Sequence, residues 1–259
     1  SKVALIRSAG TSVGRAAAIR FTEAGAKVFL TDKDLAPISE TVWKIRAAGG
    51  EVAAAEFDVT NSAEAEAMVD AVLDQYGSLH YAVNNIAGHA DYCRLDEIEE
   101  RSWDRVIESA LKSIWLGMKY QIPAIRHSGG GVIVNVASRA GLESSPGLSA
   151  FGAAAASVIS LSKSAAAEVA SEGVRINAIS PGGVLTRSLA SLCESEPGLG
   201  NMANGNALGR LATPEQISAC IAYLCSDEAA LVTGDNMIVN GGDKLSEIIE
   251  RYSFASRQH

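Results

Sequence analysis

Short apolar runs alternate with amphipathic helical patterns along the whole chain, and this alternation limits the folds that it can adopt. The strand-like runs lie at residues 2–6, 27–31, 52–57, 79–83, 131–136, 175–179 and 236–239. Helical periodicity occupies residues 13–24, 35–48, 63–76, 102–126, 150–171 and 214–226. The strand-like runs are apolar throughout, which favours a parallel sheet covered on both faces. We therefore predict an α/β fold, a doubly wound parallel seven-stranded sheet with helices on both faces.

The length and the charge of the chain narrow its class. With 259 residues, 47% of them hydrophobic, one domain spanning residues 1–259 can bury a large core. A formal net charge of −8 gives no electrostatic support to a nucleic-acid or membrane partner. No apolar run approaches the roughly 20 residues that span a bilayer, and no signal-peptide pattern precedes the first strand-like run. We expect a cytoplasmic protein. Its four scattered cysteines have no metal-ligand spacing, so we expect reduced thiols and no metal.

Two segments stand apart from the alternating pattern. Residues 186–210 are rich in Ser, Gly and Asn, which is typical of a flap over a cleft. In the tail at 244–259, Leu245, Ile248, Ile249 and Tyr252 follow helical spacing and predict an amphipathic helix. Its apolar face can pack on its own domain or on another subunit, and the sequence leaves both open.

Several short motifs recur at defined places in the chain. They are Val83-Asn84-Asn85, the run at 132–142, Arg-Ile-Asn-Ala at 175–178, Pro-Gly-Gly-Val-Leu-Thr at 181–186, and Asn240-Gly241-Gly242. With these motifs the chain resembles the short-chain dehydrogenase/reductase (SDR) family from end to end. The resemblance implies a Rossmann-like fold and, in an intact member, NAD-dependent oxidation or reduction at a CH–OH group.

The phosphate-binding loop departs from the family pattern, which is Thr-Gly, three residues, Gly, one residue, Gly. By the resemblance, Arg7 replaces the threonine, Ser8 the first glycine and Ser12 the second, and only Gly14 keeps its place. Glycine is needed there because the turn is tight and backbone N–H groups approach the pyrophosphate closely. Arg7 can fill the emptied volume or bind an anion. We expect this chain to bind no cofactor.

Remnants of the adenosine site survive. By the resemblance, Asp32 would hold an adenosine ribose and favour NAD, while Asp58 and Val59 would flank the adenine. Both aspartates can equally serve as turn and cap residues. The motif after the fourth strand contains one extra residue, Ile86, which we expect to shift backbone toward the nicotinamide riboside.

The catalytic positions are mostly lost. By the resemblance, Ser138 matches the serine that orients the substrate oxygen, but Phe151 stands for the tyrosine acid/base. Ala155 stands for the lysine that lowers the tyrosine pKa, and Ala110 for the asparagine that holds a relay water. General acid/base catalysis is worth about 10²–10⁴ in rate. We therefore expect no unaided hydride transfer, with Ser138 as an isolated remnant.

Three functions remain open. The first is a non-catalytic subunit that assembles, as a hetero-oligomer and by analogy a tetramer, with an intact SDR paralogue that binds NAD. Family members assemble through two long helices, which match residues 102–126 and 150–171 here. The arrangement is similar to hydroxybenzylsuccinyl-CoA dehydrogenase, in which an inactive member of this family pairs with an active one.

The second function is an enzyme with altered, non-redox chemistry in the old cleft, using Ser138, Arg139 and the loop of His89, Asp91 and Arg94. The third is a ligand-binding regulatory protein that uses the cleft without chemistry.

Overall fold

The structure, a computed structural model, describes residues 1–85, 92–186 and 206–242. The seven strands are β1 (Val3–Arg7), β2 (Lys27–Asp32), β3 (Val52–Glu56), β4 (Tyr81–Asn85), β5 (Gly131–Val136), β6 (Val174–Pro181) and β7 (Asn236–Val239). The α-helices are α1 (Ser12–Glu23), α2 (Ala36–Ala47), α3 (Ser62–Tyr76), α4 (Glu100–Val106), α5 (Ser113–His127), α6 (Ser149–Val169) and α7 (Pro214–Cys225). The predicted tail at 244–259 and the extra residue Ile86 lie outside the described residues.

The strands form one sheet in the order β3-β2-β1-β4-β5-β6-β7, and every neighbouring pair is parallel. The order reverses between β1 and β4, which makes the sheet doubly wound and places ligand sites of this architecture at that carboxyl edge. The predicted fold class is confirmed. β4 begins two residues later than predicted because Leu79 and His80 lie before the ladder, where their N–H groups donate to Ser128 Oγ and to the Val3 carbonyl.

Two apolar layers cover the sheet. Leu5 of β1 belongs to the layer formed with α3, α5 and α6, while Ile6 belongs to the layer formed with α1, α2 and α7. Alternate residues of β1 therefore face opposite layers, as strand geometry requires. Arg7, two residues after Leu5, consequently points into the layer that contains α5.

The helix predicted at 102–126 is present, with a π-helical segment in its middle. The segment Ile107–Lys112 between α4 and α5 is a π-helix, in which the Ser113 N–H donates to the Glu108 carbonyl. Ser113 Oγ also donates to the Ser109 carbonyl at 2.6 Å, so a side chain competes for the backbone acceptors of this turn. Single π-helical turns are frequent at functional sites. This one contains Ala110.

Helix α6 is the most apolar helix of the described residues. With its short continuation it spans Ser149–Glu172 and is the one described helix long and apolar enough to cross a membrane by length and composition. Of its most apolar window, 44% is buried inside the protein. The exposed part of the helix consists of small residues together with Lys163 and Glu168.

The predicted flap is only partly described. Residues 206–210 form a turn held by the N–H groups of Ala207 and Leu208, which donate to the carbonyls of Gly242 and Gly241. Backbone hydrogen bonds therefore join this end of the segment to the residues after β7, and the flap itself stays a prediction. Residues 187–205 lie outside the described residues.

Candidate functional site

The loop after β1 keeps the backbone conformation of a glycine although it has lost the glycine. Ser8 has φ of +51° and is the one non-glycine residue of the described chain with positive φ. A side chain in this left-handed region costs about 1–2 kcal/mol. Gly14 is retained for a packing reason, because a Cβ there would overlap the Ser8 carbonyl oxygen and lie 2.9 Å from Ala9 Cα. Residue 8 therefore keeps a left-handed backbone, and Gly14 packs directly on its carbonyl group.

The Thr11 hydroxyl forms hydrogen bonds that hold this loop together. It accepts from the Gly14 N–H at 3.1 Å as the N-cap of α1, and it donates to the Ser8 carbonyl at 2.8 Å. The Asn85 side-chain amide at the end of β4 donates to the same hydroxyl at 2.7 Å. Ser8 Oγ donates in turn to the Asn85 carbonyl at 3.4 Å. These bonds join the loop directly to the end of β4.

Replacing Ser8 by glycine should raise the free energy of unfolding by about 1 kcal/mol, because glycine adopts positive φ without a Cβ penalty. Chemical denaturation of the purified variant measures the change. Ser8→Ala is the matched control, since it removes the hydroxyl and keeps the strain. Equal stabilisation by both substitutions would show that backbone strain at residue 8 is not the cause.

The two aspartates of the predicted adenosine site are engaged locally. Asp32 accepts from the Gly10 N–H at 2.9 Å and from the Lys33 N–H at 2.8 Å. Asp58 accepts from the Thr60 N–H and hydroxyl, and it pairs with Lys33 Nζ at 3.0 Å. Partial burial works to raise the pKa of Asp58, but these hydrogen bonds and the lysine charge outweigh it and hold the pKa below its usual value. Val59, next to Asp58, packs partly buried against the core.

Arg7 is the least expected residue of the site. Its side chain is 1% exposed, and Nη1 donates to Asn84 Oδ1 at 3.2 Å and to the Ser113 carbonyl at 2.8 Å. Nε is buried without a hydrogen-bond partner, and no salt bridge joins Arg7 to a carboxylate of the described residues. Burial lowers the pKa of the guanidinium to about 10, so it remains charged at neutral pH. Of the two possibilities raised by the sequence, the described structure has Arg7 filling internal volume.

Ser138 lies at the carboxyl end of β5, where a substrate-orienting hydroxyl belongs. Its Oγ accepts from the Ala140 N–H at 3.2 Å and so begins the short 3₁₀ turn Arg139–Gly141. Among the described residues this hydroxyl has no hydrogen bond to a titratable side chain. Arg139 beside it is buried and pairs with Glu143 at 3.1 Å. The described residues therefore provide no base for Ser138, while His89 and Asp91 lie outside them.

Phe151 and Ala110, at the tyrosine and asparagine positions, lie in one apolar cluster. Buried Ala110 packs with Val106 and Ala154, and Phe151 covers them. A cavity of about 10 Å³ beside Phe151 has room for one water at most. It is lined by Cys93, Ile98, Ser102, Val106 and Leu148. The contacts of Ala110 and Phe151 in this cluster are therefore between hydrocarbon groups.

The lysine position is closed. Ala155 is 0% exposed, and the turn Arg139–Gly141 packs against α6 at this residue. Gly141 permits this approach, because a Cβ there would lie 2.5 Å from the Ala156 nitrogen and 3.0 Å from Ala155 Cβ. No group at this position can lower a neighbouring pKa or hold a ribose.

The described residues contain no group of three or more His, Cys, Asp or Glu side chains that could hold a metal ion. Burial raises the pKa of the Cys225 thiol to about 12, which makes it unreactive, and Cys220 is a free thiol on the same helix. These thiols are packing residues.

The sequence reading missed Gly117 of α5. A Cβ at this position would overlap Arg7 Nη1 and lie 3.4 Å from Arg7 Cζ, so the absence of a side chain makes room for the guanidinium. Glycine inside a helix costs about 1 kcal/mol relative to alanine. A glycine within a predicted helix was therefore the sequence signal that another group packs closely against residue 117.

Comparison with known proteins agrees with the geometry. A family model described as enoyl-(acyl carrier protein) reductase matches residues 8–243. Cyclohexanol dehydrogenase of Acinetobacter sp. (strain SE19) is 36% identical over 241 residues, which cover 93% of this chain and 94% of the relative. A short chain dehydrogenase/reductase of Aspergillus oryzae is 33% identical and covers 94% of this chain and 95% of its own. The crystal structure of levodione reductase matches with a TM-score of 0.89 and 28% identity, over 93% of this chain and 96% of that one.

A sheet of this order, with its loop at the β1–β4 reversal and Ser138 after β5, defines a dinucleotide-binding oxidoreductase fold. The chain belongs to the short-chain dehydrogenase/reductase family. Its relatives include a cyclohexanol dehydrogenase.

Proposed function

We propose that this chain is a non-catalytic subunit that assembles with an intact, NAD-dependent alcohol dehydrogenase of its own family and supports it structurally. The assembly, in this proposal, is a cytoplasmic hetero-oligomer with two copies of each chain, and the partner alone binds NAD. The observation that carries the proposal is the apolar cluster of Ala110 and Phe151 beside the closed Ala155 position. By the family resemblance, this apolar cluster lies where an intact member has its proton-transfer groups.

The residues of the loop do not fit a dinucleotide. Ser8 and Ser12 add side chains where the family has glycines, and the Thr11 hydroxyl already engages the Gly14 N–H at the start of α1. A pyrophosphate at a helix N-terminus needs such backbone donors to be free and needs close backbone approach. We therefore derive no hydride-transfer step for this chain and assign that chemistry to the partner.

The outer face of α6 supports assembly. Six exposed residues form one stripe along the helix: Ala153, Ala156, Ser157, Ser160, Ser164 and Ala167. Two hydroxyls of this stripe are satisfied within the helix, since Ser157 donates to the Ala153 carbonyl at 2.9 Å and Ser164 to the Ser160 carbonyl at 3.2 Å. Burial against another helix leaves these two hydroxyls paired, and the small side chains permit close approach of the two helices.

The neighbouring helix α5, on the same side of the sheet, carries an exposed tryptophan. Trp115 is 47% exposed, and Lys119 Nζ lies 5.8 Å from the centre of its ring. An exposed tryptophan on this layer of helices supports an association site, because aromatic residues carry much of the binding energy of interfaces. No described contact of Ser138 favours a non-redox enzyme over a non-catalytic subunit.

Isothermal titration of NAD and co-expression test the proposal together. The pure chain should give no heat with NAD at millimolar concentration. Co-expression with a paralogue of the same organism that keeps the Ser-Tyr-Lys set and both loop glycines should give a stable complex that binds NAD and turns over. Saturable NAD binding by the pure chain, or a homotetramer that ignores every such paralogue, would contradict the proposal.

A further inference from the structure

Arg7 and Gly117 fit each other across the interface between the sheet and α5. The guanidinium occupies the space that a side chain at residue 117 would fill. A Cβ at residue 117 would also lie only 3.3 Å from Asn84 Oδ1. Each residue is costly by itself, one as a buried charge without a carboxylate and the other as a glycine inside a helix. Their direct contact accounts for both.

The guanidinium is the end of a buried chain of polar side chains. Asn84 accepts from Arg7 and from Gln121 Nε2 at 2.8 Å, and it donates to Asn135 Oδ1 at 2.9 Å. Asn135 donates to Ser162 Oγ of α6 at 2.9 Å. The bonds therefore tie β1, β4 and β5 to α5 and α6 at the edge where the sheet order reverses. Arg7 Nε remains unpaired, but the other bonds of this buried network restrict the arrangement of the elements that they join.

The same two turns of α5 carry both the Arg7 contacts and the exposed tryptophan. Ser113 and Gly117, four residues apart, lie on the buried stripe that touches Arg7. Trp115 and Lys119, also four apart, lie on the opposite stripe and are exposed. A rotation or shift of the helix at Ser113 and Gly117 therefore also moves Trp115 and Lys119, because an α-helix is stiff over two turns.

We propose that Arg7 is a positioning residue that holds the start of α5 against the sheet, with Gly117 as its seat, so that the Trp115–Lys119 face keeps its place without a bound cofactor. The role of that face in assembly rests on the proposed function; the Arg7–Gly117 coupling does not. Arg7 thus performs an internal task at a position where the family has a threonine.

A double-substitution cycle tests the coupling. Gly117→Ala should lower the folding equilibrium constant about tenfold in the natural chain, because the new Cβ displaces Nη1 from the two carbonyl oxygens that it bonds, each bond being worth roughly a factor of three to ten. In an Arg7→Ala background the same change should raise that constant about fivefold, since alanine is the better helix former and fills space. If Arg7→Ala does not fold, Arg7→Lys replaces it, and the destabilisation by Gly117→Ala should then become smaller. The same effect of Gly117→Ala in both backgrounds would overturn the inference.

A second measurement separates positioning from mere stability. With Trp43 and Trp103 replaced by phenylalanine, Trp115 is the remaining tryptophan, and Arg7→Ala should shift its emission maximum in the folded chain. Arg7→Lys should restore part of the original spectrum. Ile45→Ala, which removes a core side chain of α2 in the opposite layer, is the control and should leave the spectrum unchanged. An unchanged Trp115 spectrum in folded Arg7→Ala would overturn the inference.

Affinity for the intact paralogue distinguishes the two proposals. Folded Arg7→Ala should bind it at least tenfold more weakly, and Ile45→Ala should bind it as the natural chain does. If Arg7 and Gly117 are coupled and the Trp115 spectrum shifts, but no variant binds a paralogue, Arg7 remains a positioning residue and the proposed function is refuted. Tight binding by Arg7→Ala would leave the proposed function intact and refute the link to Arg7.

Discussion

Replacing Trp115 by glutamate should weaken the complex with the intact paralogue by at least about 30-fold while leaving the isolated chain folded. A tryptophan at the centre of an interface contributes roughly 2 kcal/mol or more, which corresponds to that factor. The introduced carboxylate would also be desolvated against the partner. Equilibrium sedimentation or surface-based binding of the two purified chains measures the loss.

Trp43→Glu provides the matched control. Trp43 is 68% exposed on α2, which lies on the opposite face of the sheet from α5. Both substitutions change an exposed tryptophan to the same charge, and each should alter the free energy of unfolding by less than about 0.5 kcal/mol. Equal losses of affinity, or none with Trp115→Glu, would place the partner on another surface.

Replacing Gly14 by alanine should destabilise the chain by at least about 2 kcal/mol. The new Cβ would overlap the backbone carbonyl of Ser8, which cannot swing away like a side chain, and would lie 3.0 Å from the Ser8 carbonyl carbon. Overpacking in a well-packed interior costs typically 1–3 kcal/mol, and the better helix propensity of alanine offsets only part of it. Urea denaturation of the purified variant measures the difference.

Gly25→Ala separates this overlap from the ordinary penalty of positive φ. Gly25 has φ of +82°, and a Cβ there would meet no atom within 4 Å, so its replacement should cost about 1 kcal/mol. A Gly14 variant that is no less stable than the Gly25 variant would show that the loop moves freely. Gly14 would then have no packing reason to persist without a cofactor.

The pattern of retained and lost residues in the loop has one physical reading. Gly14 and the positive φ at residue 8 belong to the packing of α1 on the sheet, and both are present. The glycines at positions 8 and 12 matter for the approach of a pyrophosphate, and both have become serine. A residue that packs in the folded chain is needed whether or not a cofactor binds. A residue that only lets the pyrophosphate come close to the backbone is needed only when a cofactor binds.

The sequence by itself determined the fold class, because seven apolar runs separated by helical patterns can be buried only in a doubly wound parallel sheet. The roles given to Ser138, Ala110, Phe151 and Ala155 came from the family resemblance, and they stay predictions. The sequence placed most strand and helix ends within two residues. The helix predicted at 102–126 is present, since the backbone is helical from Glu100 to His127, but its π turn at Ile107–Lys112 depends on packing and was not predicted.

Only the tertiary structure decided what Arg7 does. Its partners, Asn84, Ser113 and Gly117, lie 77 residues or more along the chain, and no local pattern connects them. The same holds for the Thr11–Asn85 bond, which joins the loop to β4. Local chemistry therefore fixed which groups are missing from the site, and long-range packing fixed what the remaining side chains do in their place.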